Sequence, residues 1–136
     1  MKWYFSALRK YAVFSGRARR KEYWYFNLFN SLIVLALIGV DHGITRTAAG
    51  NNALGLFSGL FVFATFLPTL GALVRRLHDT DRSGWYVFLN LIPLIGPLIV
   101  LVFTLEDSEQ GRNQYGPNPK EVAADALADG TAYQSN

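Results

Sequence analysis

Hydrophobic residues gather in three long stretches that contain no charged side chain. They cover residues 23–40, 47–74 and 83–105, with 18, 28 and 23 residues. A helix needs roughly 20 mostly apolar residues to cross the hydrocarbon core of a bilayer, so each stretch is long enough, the first only just. The pattern predicts an all-α, polytopic integral membrane protein with three hydrophobic helical segments, at about residues 23–40, 53–74 and 85–105.

Composition supports this class over a soluble protein. Of the 136 residues, 51% are hydrophobic and only 17% are charged. Three fully buried helices in so short a soluble chain would leave too little polar surface to cover them. No small-x-small cleavage motif follows the first stretch, which indicates a retained anchor rather than a signal peptide. We expect one membrane domain over residues 1–120 and a flexible acidic tail over residues 121–136.

The third stretch is interrupted at its centre by Pro93, Gly96 and Pro97. Proline breaks or kinks a helix, so this segment is predicted to be either a kinked span or a re-entrant hairpin. Three complete spans are favoured, because two half-helices of about ten residues are too short to cross separately. A hairpin fits the distribution of basic residues slightly better, since it leaves only Arg46 outside, and both alternatives remain open.

Charge predicts the orientation of the first helix. The 22 residues that precede the first span carry seven basic residues and one acidic residue, a net charge of +6. By the positive-inside rule the N-terminus is cytoplasmic, a short turn at residues 41–46 lies outside, and the loop that contains Arg75, Arg76 and Arg82 lies inside. This predicts a multi-pass membrane protein whose N-terminus is cytoplasmic.

Residues 1–14, "MKWYFSALRKYAVF", place aromatic residues and basic residues at helical spacing. This pattern is typical of an N-terminal helix that lies in the membrane interface. The alternative is a helix packed on the bundle, because the apolar face is broad.

The first charged motif is "FSGRARRKEYW", residues 14–24. Ser15 is a candidate cap for the first span, so Arg17, Arg20 and their basic neighbours are expected in its opening turns. The positive end of the helix dipole disfavours cations there. An anionic partner is therefore expected, either lipid phosphate, the local Glu22, or an aspartate of the other motif.

The second charged motif is "RRLHDTDRSGW", residues 75–85. Arg75 and Asp79 stand four residues apart and are predicted to pair along the helix, while Arg76 and His78 face elsewhere. We also predict that Asp79 binds the arginines of the first motif, because a guanidinium group can engage a carboxylate with two hydrogen bonds. Trp85 is predicted to lie in the interface at the start of the third segment.

Gly55 and Gly59 form a G-x-x-x-G pattern that predicts close helix packing within the chain, with dimerisation as the alternative. The spans contain no ionisable residue, which disfavours an ion-coupled transporter. Cysteine is absent and His78 has too few neighbouring ligands for zinc, so no metal, cofactor or enzymatic activity is expected. Nucleic acid is not an expected partner either.

Two classes of function remain. The first is a small scaffold or adaptor that binds another membrane protein. The second is a homo-oligomeric pore or a protein that handles anionic membrane lipids, although three helices cannot enclose a conduit without oligomerisation. In either class the candidate binding face consists of Arg17, Arg20, Arg75, Arg76, His78, Asp79 and Trp85.

Four segments occur together in this order: "FSGRARRKEYW", "VRRLHDTDRSGW", "LIPLIGPLIVLV" and "GRNQYGPNP". In order and spacing they closely resemble the family catalogued as domain of unknown function 805, small bacterial inner-membrane proteins. The likeness covers about residues 1–120 and implies a helical plasma-membrane protein without an assigned activity. The family's closing motif usually carries an arginine directly before the tyrosine, whereas Gln114 precedes Tyr115 here, so the resemblance implies no role for a tail arginine.

Overall fold

The computed structural model describes residues 2–48 and 55–130, and these residues form helices and connecting turns without a β-strand. The α-helices are α1 (Lys2–Arg9), α2 (Arg20–Ala48), α3 (Leu56–Asp79), α4 (Ile95–Leu105) and α5 (Pro119–Ala128). A 3₁₀ helix, Gly84–Leu91, precedes α4. The predicted all-α class is confirmed.

The two long helices α2 and α3 pack against each other in opposite directions. Glu22 near the start of α2 bonds to Arg75 near the end of α3, whereas Asp41 bonds to Ser58 at the other end of the pair. At 1.5 Å per residue, the 24 residues of α3 span about 36 Å. Both helices are long and apolar enough to cross a membrane, and most of their apolar side chains are exposed.

Helix α2 begins later and ends later than the sequence predicts. Gly16 has a positive φ of 85°, and residues 17–19 run without helical structure before α2 begins at Arg20. Ser15 is therefore too far from α2 to cap it. The unfavourable interaction with the positive end of the helix dipole concerns Arg20 and Lys21, which lie in the first turn, and not Arg17. The predicted outer turn at residues 41–46 is also wrong, because α2 continues through it to Ala48.

The third apolar segment is broken into two short helices. Ser83 caps the 3₁₀ helix by accepting a hydrogen bond from the Trp85 backbone N–H at 3.3 Å. The chain then turns at residues 92–94, where Leu94 has a positive φ of 66°, and α4 begins at Ile95. A Cβ atom on Gly96 would lie 1.6 Å from the Leu89 carbonyl oxygen, so only glycine permits this close approach.

The two halves of this segment fold back on each other. Tyr86 of the 3₁₀ helix meets Phe103 of α4 edge to face, with ring centroids 5.7 Å apart. Arg82 and Glu106, which flank the segment, form an ion pair. Residues 84–105 thus form a hairpin, called here the apolar hairpin, and the predicted interruption of the third segment is present.

Helix α1 packs on the bundle. Tyr4 stacks on Phe26 of α2 with ring centroids 5.5 Å apart, and the Tyr11 hydroxyl donates to the Ala64 carbonyl at 2.7 Å. The buried apolar core next to α1 is small and contains Phe26 and Ala72. These contacts agree with the second of the two predictions for the N-terminal segment, a helix that packs on the bundle.

Part of the predicted tail is helical. Asn118 caps α5 by accepting from the Lys120 backbone N–H at 2.9 Å, and Pro119 occupies the first turn, where its missing N–H costs nothing. The flexible tail predicted for residues 121–136 therefore contains a helix up to Ala128, and residues 131–136 lie outside the described residues.

Candidate functional site

Both charged motifs lie at one end of the bundle, together with the loop 106–118. The Ala18 backbone N–H donates to the Arg75 carbonyl at 3.0 Å, and the Glu109 N–H donates to the Asp79 carbonyl at 2.9 Å. These backbone bonds join three chain segments before any side chain is considered. This end is called the basic end.

Asp79 is the centre of the basic end and is completely buried. Its Oδ1 accepts from Arg17 Nε at 3.0 Å, and its Oδ2 accepts from Arg76 and from the Ser108 hydroxyl, the latter at 2.5 Å. The structure therefore contains the predicted contact between Asp79 and the first motif. A buried carboxylate needs such partners, since the cost of removing it from water is large.

Arg17 uses its whole guanidinium group inside the protein. Besides Asp79 Oδ1, it donates to the Asp79 backbone carbonyl at 3.1 Å and to the carbonyls of Glu109 at 2.6 Å, Gly111 at 2.8 Å and Gly116 at 3.4 Å. An arginine side chain has five N–H donors, and these five acceptors match them. Only 1% of the side chain is exposed, so Arg17 holds the loop 106–118 and has no donor left for a ligand.

Arg76 connects the end of α3 to the end of α4. It donates to the carbonyl of Thr104 at 3.1 Å and to the carbonyl of Glu106, and it pairs with Asp79 three residues along the helix. The side chain is completely buried. Since Asp79 binds Arg76 and Arg17, the predicted pair between Arg75 and Asp79 does not form.

Arg75 instead binds Glu22 on the neighbouring helix, with 3.1 Å between Nη1 and Oε1. Its Nε donates to the Gly71 carbonyl at 3.2 Å, and Nη2 is buried without a hydrogen-bond partner among the described residues. Lys10 lies 3.7 Å from the same Glu22 oxygen. Glu22 thus neutralises cations from α3 and from the chain that precedes α2.

His78 belongs to the same buried end. Its Nδ1 lies 3.2 Å from the Gly16 carbonyl oxygen, and its ring stacks on Tyr115 with centroids 3.8 Å apart. Trp85 is different, because 77% of it is exposed and its ring stacks on Phe88 of the 3₁₀ helix. The structure therefore does not bring Trp85 into the cluster.

The structure places the residues of the predicted binding face in different environments. Five of the seven are buried, and their side chains contact other parts of the chain: Arg17, Arg75, Arg76, His78 and Asp79. Only Arg20 and Trp85 are exposed, and they belong to separate surfaces. The local pattern identified residues that meet but could not show that they face inward.

The loop 106–118 carries exposed charges that the sequence interpretation left unassigned. Arg82 binds Glu106, and Lys120 binds Asp107. The Lys120 ammonium and the Ser108 backbone N–H hold the pKa of the Asp107 carboxyl below its ordinary value. Asp107 is therefore ionised at neutral pH. The run of acids directly after an apolar segment was the available signal for these contacts.

The two glycines of the G-x-x-x-G pattern differ in their surroundings: Gly55 lies close to Asp41 of α2, whereas Gly59 has open space beside it in the described part of the chain. Gly55 is the residue that precedes α3, and a Cβ atom there would meet Ser58 Oγ at 2.4 Å. A Cβ atom on Gly59 would meet nothing within 4 Å. The predicted packing within the chain is therefore not seen at Gly59 among the described residues.

Asp41 is a structural residue that the sequence interpretation missed. It accepts from the Phe57 N–H at 3.0 Å, the Ser58 N–H at 2.9 Å and the Ser58 hydroxyl at 2.7 Å. An aspartate with these contacts satisfies the free N–H groups of a helix start. Across residues 2–48 and 55–130, no group of three or more histidine or acidic side chains could hold a metal ion.

Residues 11–117 match the family described as "Protein of unknown function (DUF805)". The inner membrane protein YhaI of Escherichia coli is 47% identical over 120 residues, which cover 88% of this chain and 97% of YhaI. Inner membrane protein YhaH of the same organism is 43% identical, with 88% and 98% covered.

A more distant relative is the uncharacterized protein YiiR of Escherichia coli, 29% identical over 135 residues, with 80% of this chain and 87% of YiiR covered. No solved structure matches the chain. The matched region, residues 11–117, includes both charged motifs and the apolar hairpin.

Proposed function

Because the chain belongs to the DUF805 family of proteins of unknown function, we propose that it is an inner-membrane adaptor that binds another membrane protein through its apolar hairpin. YhaI and YhaH are named as inner membrane proteins, which supports this location. The proposal has three parts: topology, a rigid basic end, and a surface that needs a partner.

In the proposed topology α2 and α3 cross the membrane, and the apolar hairpin enters and leaves on one side. Arg82 and Glu106 flank the hairpin and bind each other, so its two ends lie at the same end of α3. The basic end then faces the cytoplasm under the positive-inside rule. Of the 13 basic residues in the chain, only Arg46 lies outside in this arrangement.

The buried cluster around Asp79 supports an adaptor because it fixes the shape of the basic end. Arg17 binds four backbone carbonyls, one at the end of α3 and three in the loop 106–118, and Arg76 binds the last turn of α4. A surface that is already ordered loses less conformational entropy when a partner binds. In this account the buried residues of the charged motifs position the hairpin and the loop, and they contact no ligand themselves.

The observation that carries the proposal is the exposure of the hairpin. Trp85, Leu91 and Leu94 are 77%, 77% and 83% exposed, and the helical structure is interrupted at residues 92–94. Irregular backbone at membrane depth is stable where protein or a water-filled cavity surrounds it. None of the described residues packs against this outer face of the hairpin, so we propose that a second protein binds it.

The alternative partner of the hairpin is a second copy of this chain. Two crossing helices and one hairpin are too few to enclose a conduit, but an oligomer that buries the hairpins could form a pore or a lipid path. The open surface at Gly59 would permit the close helix approach that such an oligomer needs. The identity of the molecule at the hairpin distinguishes the two functions.

Photo-crosslinking in native membranes tests the proposal. A photoreactive residue at Leu94 should capture one discrete membrane protein, whereas the same residue at Leu35 of α2, which is 66% exposed, should capture lipid. Mass spectrometry identifies the product. Capture of a second copy at Leu94 would establish the oligomer instead, and capture of lipid alone at both positions would overturn the proposal.

A further inference from the structure

A groove of about 700 Å³ opens on the side of the basic end, and its lining residues belong neither to the buried cluster around Asp79 nor to the apolar hairpin. The start of α2 and the residues around Asp107 and Lys120 line it. Ligand pockets in proteins commonly have volumes of about 300–1,000 Å³, so the groove has room for a small headgroup.

The charge of the groove is mainly positive. Its lining has one acidic residue, Asp107, and four basic residues: Arg19, Arg20, Lys21 and Lys120. Lys120 is paired with Asp107, and Arg19 donates to the Pro119 carbonyl at 2.9 Å. Arg20 and Lys21 are exposed and form no ion pair within the described residues.

Arg20 and Lys21 also stand in the first turn of α2. The positive end of the helix dipole raises the electrostatic cost of cations at this position. Glu22, the acid of the same turn, is already bound to Arg75 and cannot compensate them fully. These two cations therefore favour an anion from outside the protein.

The wall of the groove is aromatic and apolar. Trp24 is held by a hydrogen bond from its Nε1 to the Thr104 carbonyl at 3.3 Å, and Tyr25 and Leu28 continue the wall. Along the same helix, Leu28, Leu32 and Leu35 are 53%, 52% and 66% exposed. Residues at this spacing lie on one helix face, so an apolar ridge leads from the groove towards the centre of the membrane.

We propose that the groove binds one anionic phospholipid, with its phosphate at Arg20 and Lys21 and an acyl chain along Leu28, Leu32 and Leu35. Tryptophan and tyrosine are the side chains that favour the boundary between headgroups and hydrocarbon, and basic residues favour anionic headgroups there. The apolar ridge distinguishes a lipid from a free phosphate ion, which has no part to place on it. The site is independent of the partner proposed for the hairpin.

Native mass spectrometry of the full-length protein in detergent tests this site. With phosphatidylglycerol as the probe, Arg20→Gln should weaken binding about fivefold, and Arg20→Gln with Lys21→Gln about 25-fold, at low ionic strength. Arg112→Gln is the matched control, because Arg112 is exposed, outside the groove, and carries the same charge. The control should bind the lipid as the unchanged protein does.

Both groove cations are exposed, so their substitution should leave the melting temperature unchanged. An unchanged melting temperature shows that each variant retains the fold. Equal loss of binding in the Arg112→Gln control, or equal affinity for zwitterionic phosphatidylcholine, would overturn the site. Displacement of the lipid by excess inorganic phosphate would show a free-anion site instead and would also overturn the proposal. None of these results depends on what covers the hairpin.

Discussion

Arg82 and Glu106 bind each other across the mouth of the apolar hairpin, although they are 24 positions apart in the chain. One guanidinium nitrogen lies 2.5 Å from Oε2 and the other lies 3.1 Å from Oε1. Arg82 also covers the ring of Phe103 at 4.0 Å. This contact requires the apolar segment to return to the end of α3 from which it starts, and the topology that we propose rests on that return.

The Asp79→Asn variant should be markedly less stable than the unchanged protein. The substitution removes the charge between two buried guanidinium groups, those of Arg17 and Arg76. Breaking a buried ion pair from one side costs about 3 kcal/mol or more. Thermal unfolding in detergent measures the loss as a lower melting temperature.

Asp107→Asn is the matched control for this experiment. Asp107 has the same charge, but 65% of its side chain is exposed, and its partner Lys120 is exposed as well. Such surface pairs contribute little to stability. A melting temperature that falls equally in both variants would contradict the central role of Asp79.

The contact between Asp79 and the first motif could be predicted from the sequence, because an excess of cations in one segment and acids in another indicate that the two segments bind each other. It did not show which arginine of the second motif would pair. Residues three and four positions apart both share a helix face with Asp79, so spacing alone permits either Arg76 or Arg75. The choice depends on Glu22, which binds Arg75 from a different helix.

Gly96→Ala should destabilise the apolar hairpin. The added methyl group would lie 1.6 Å from the Leu89 carbonyl oxygen and 2.6 Å from the Leu89 carbonyl carbon, so backbone must move. Overpacking of this kind costs about 1–3 kcal/mol or more. The melting temperature of the purified variant measures the effect.

Gly59→Ala serves as the comparison for Gly96→Ala, since the same methyl group meets nothing within 4 Å among the described residues. It should leave the stability of the monomer unchanged or slightly higher, because alanine favours helix. Equal melting temperatures of the two alanine variants would mean that Gly96 does not approach the Leu89 carbonyl closely.

The break in the third segment could be predicted from Pro93 and Gly96, but its outcome could not. A kinked span and a hairpin have the same local sequence pattern of apolar residues around a proline. The positive φ of Leu94 and the pairing of Arg82 with Glu106 support the hairpin that we propose. The second of these is a long-range contact, which hydropathy and residue spacing do not report.

Asp41→Ala should weaken the end of the bundle that lies opposite the charged cluster. Asp41 accepts three hydrogen bonds at the start of α3, from the Phe57 N–H, the Ser58 N–H and the Ser58 hydroxyl. Loss of a helix cap costs about 0.5–2 kcal/mol. Asp41→Asn keeps a capping oxygen and should melt between the unchanged protein and the alanine variant, whereas equal melting of all three would exclude the cap.

Cysteine accessibility tests the topology most directly, because the chain contains no cysteine and each introduced one reports alone. His42 in the last two turns of α2 and Ala124 of α5 are both exposed. In the proposed topology, His42→Cys and Ala124→Cys therefore place one thiol on each side of the membrane. In intact spheroplasts, a membrane-impermeant maleimide should label the cysteine at position 42, and the cysteine at position 124 only after lysis. Labelling of both positions before lysis would mean that residues 84–105 cross the membrane completely and would contradict the hairpin.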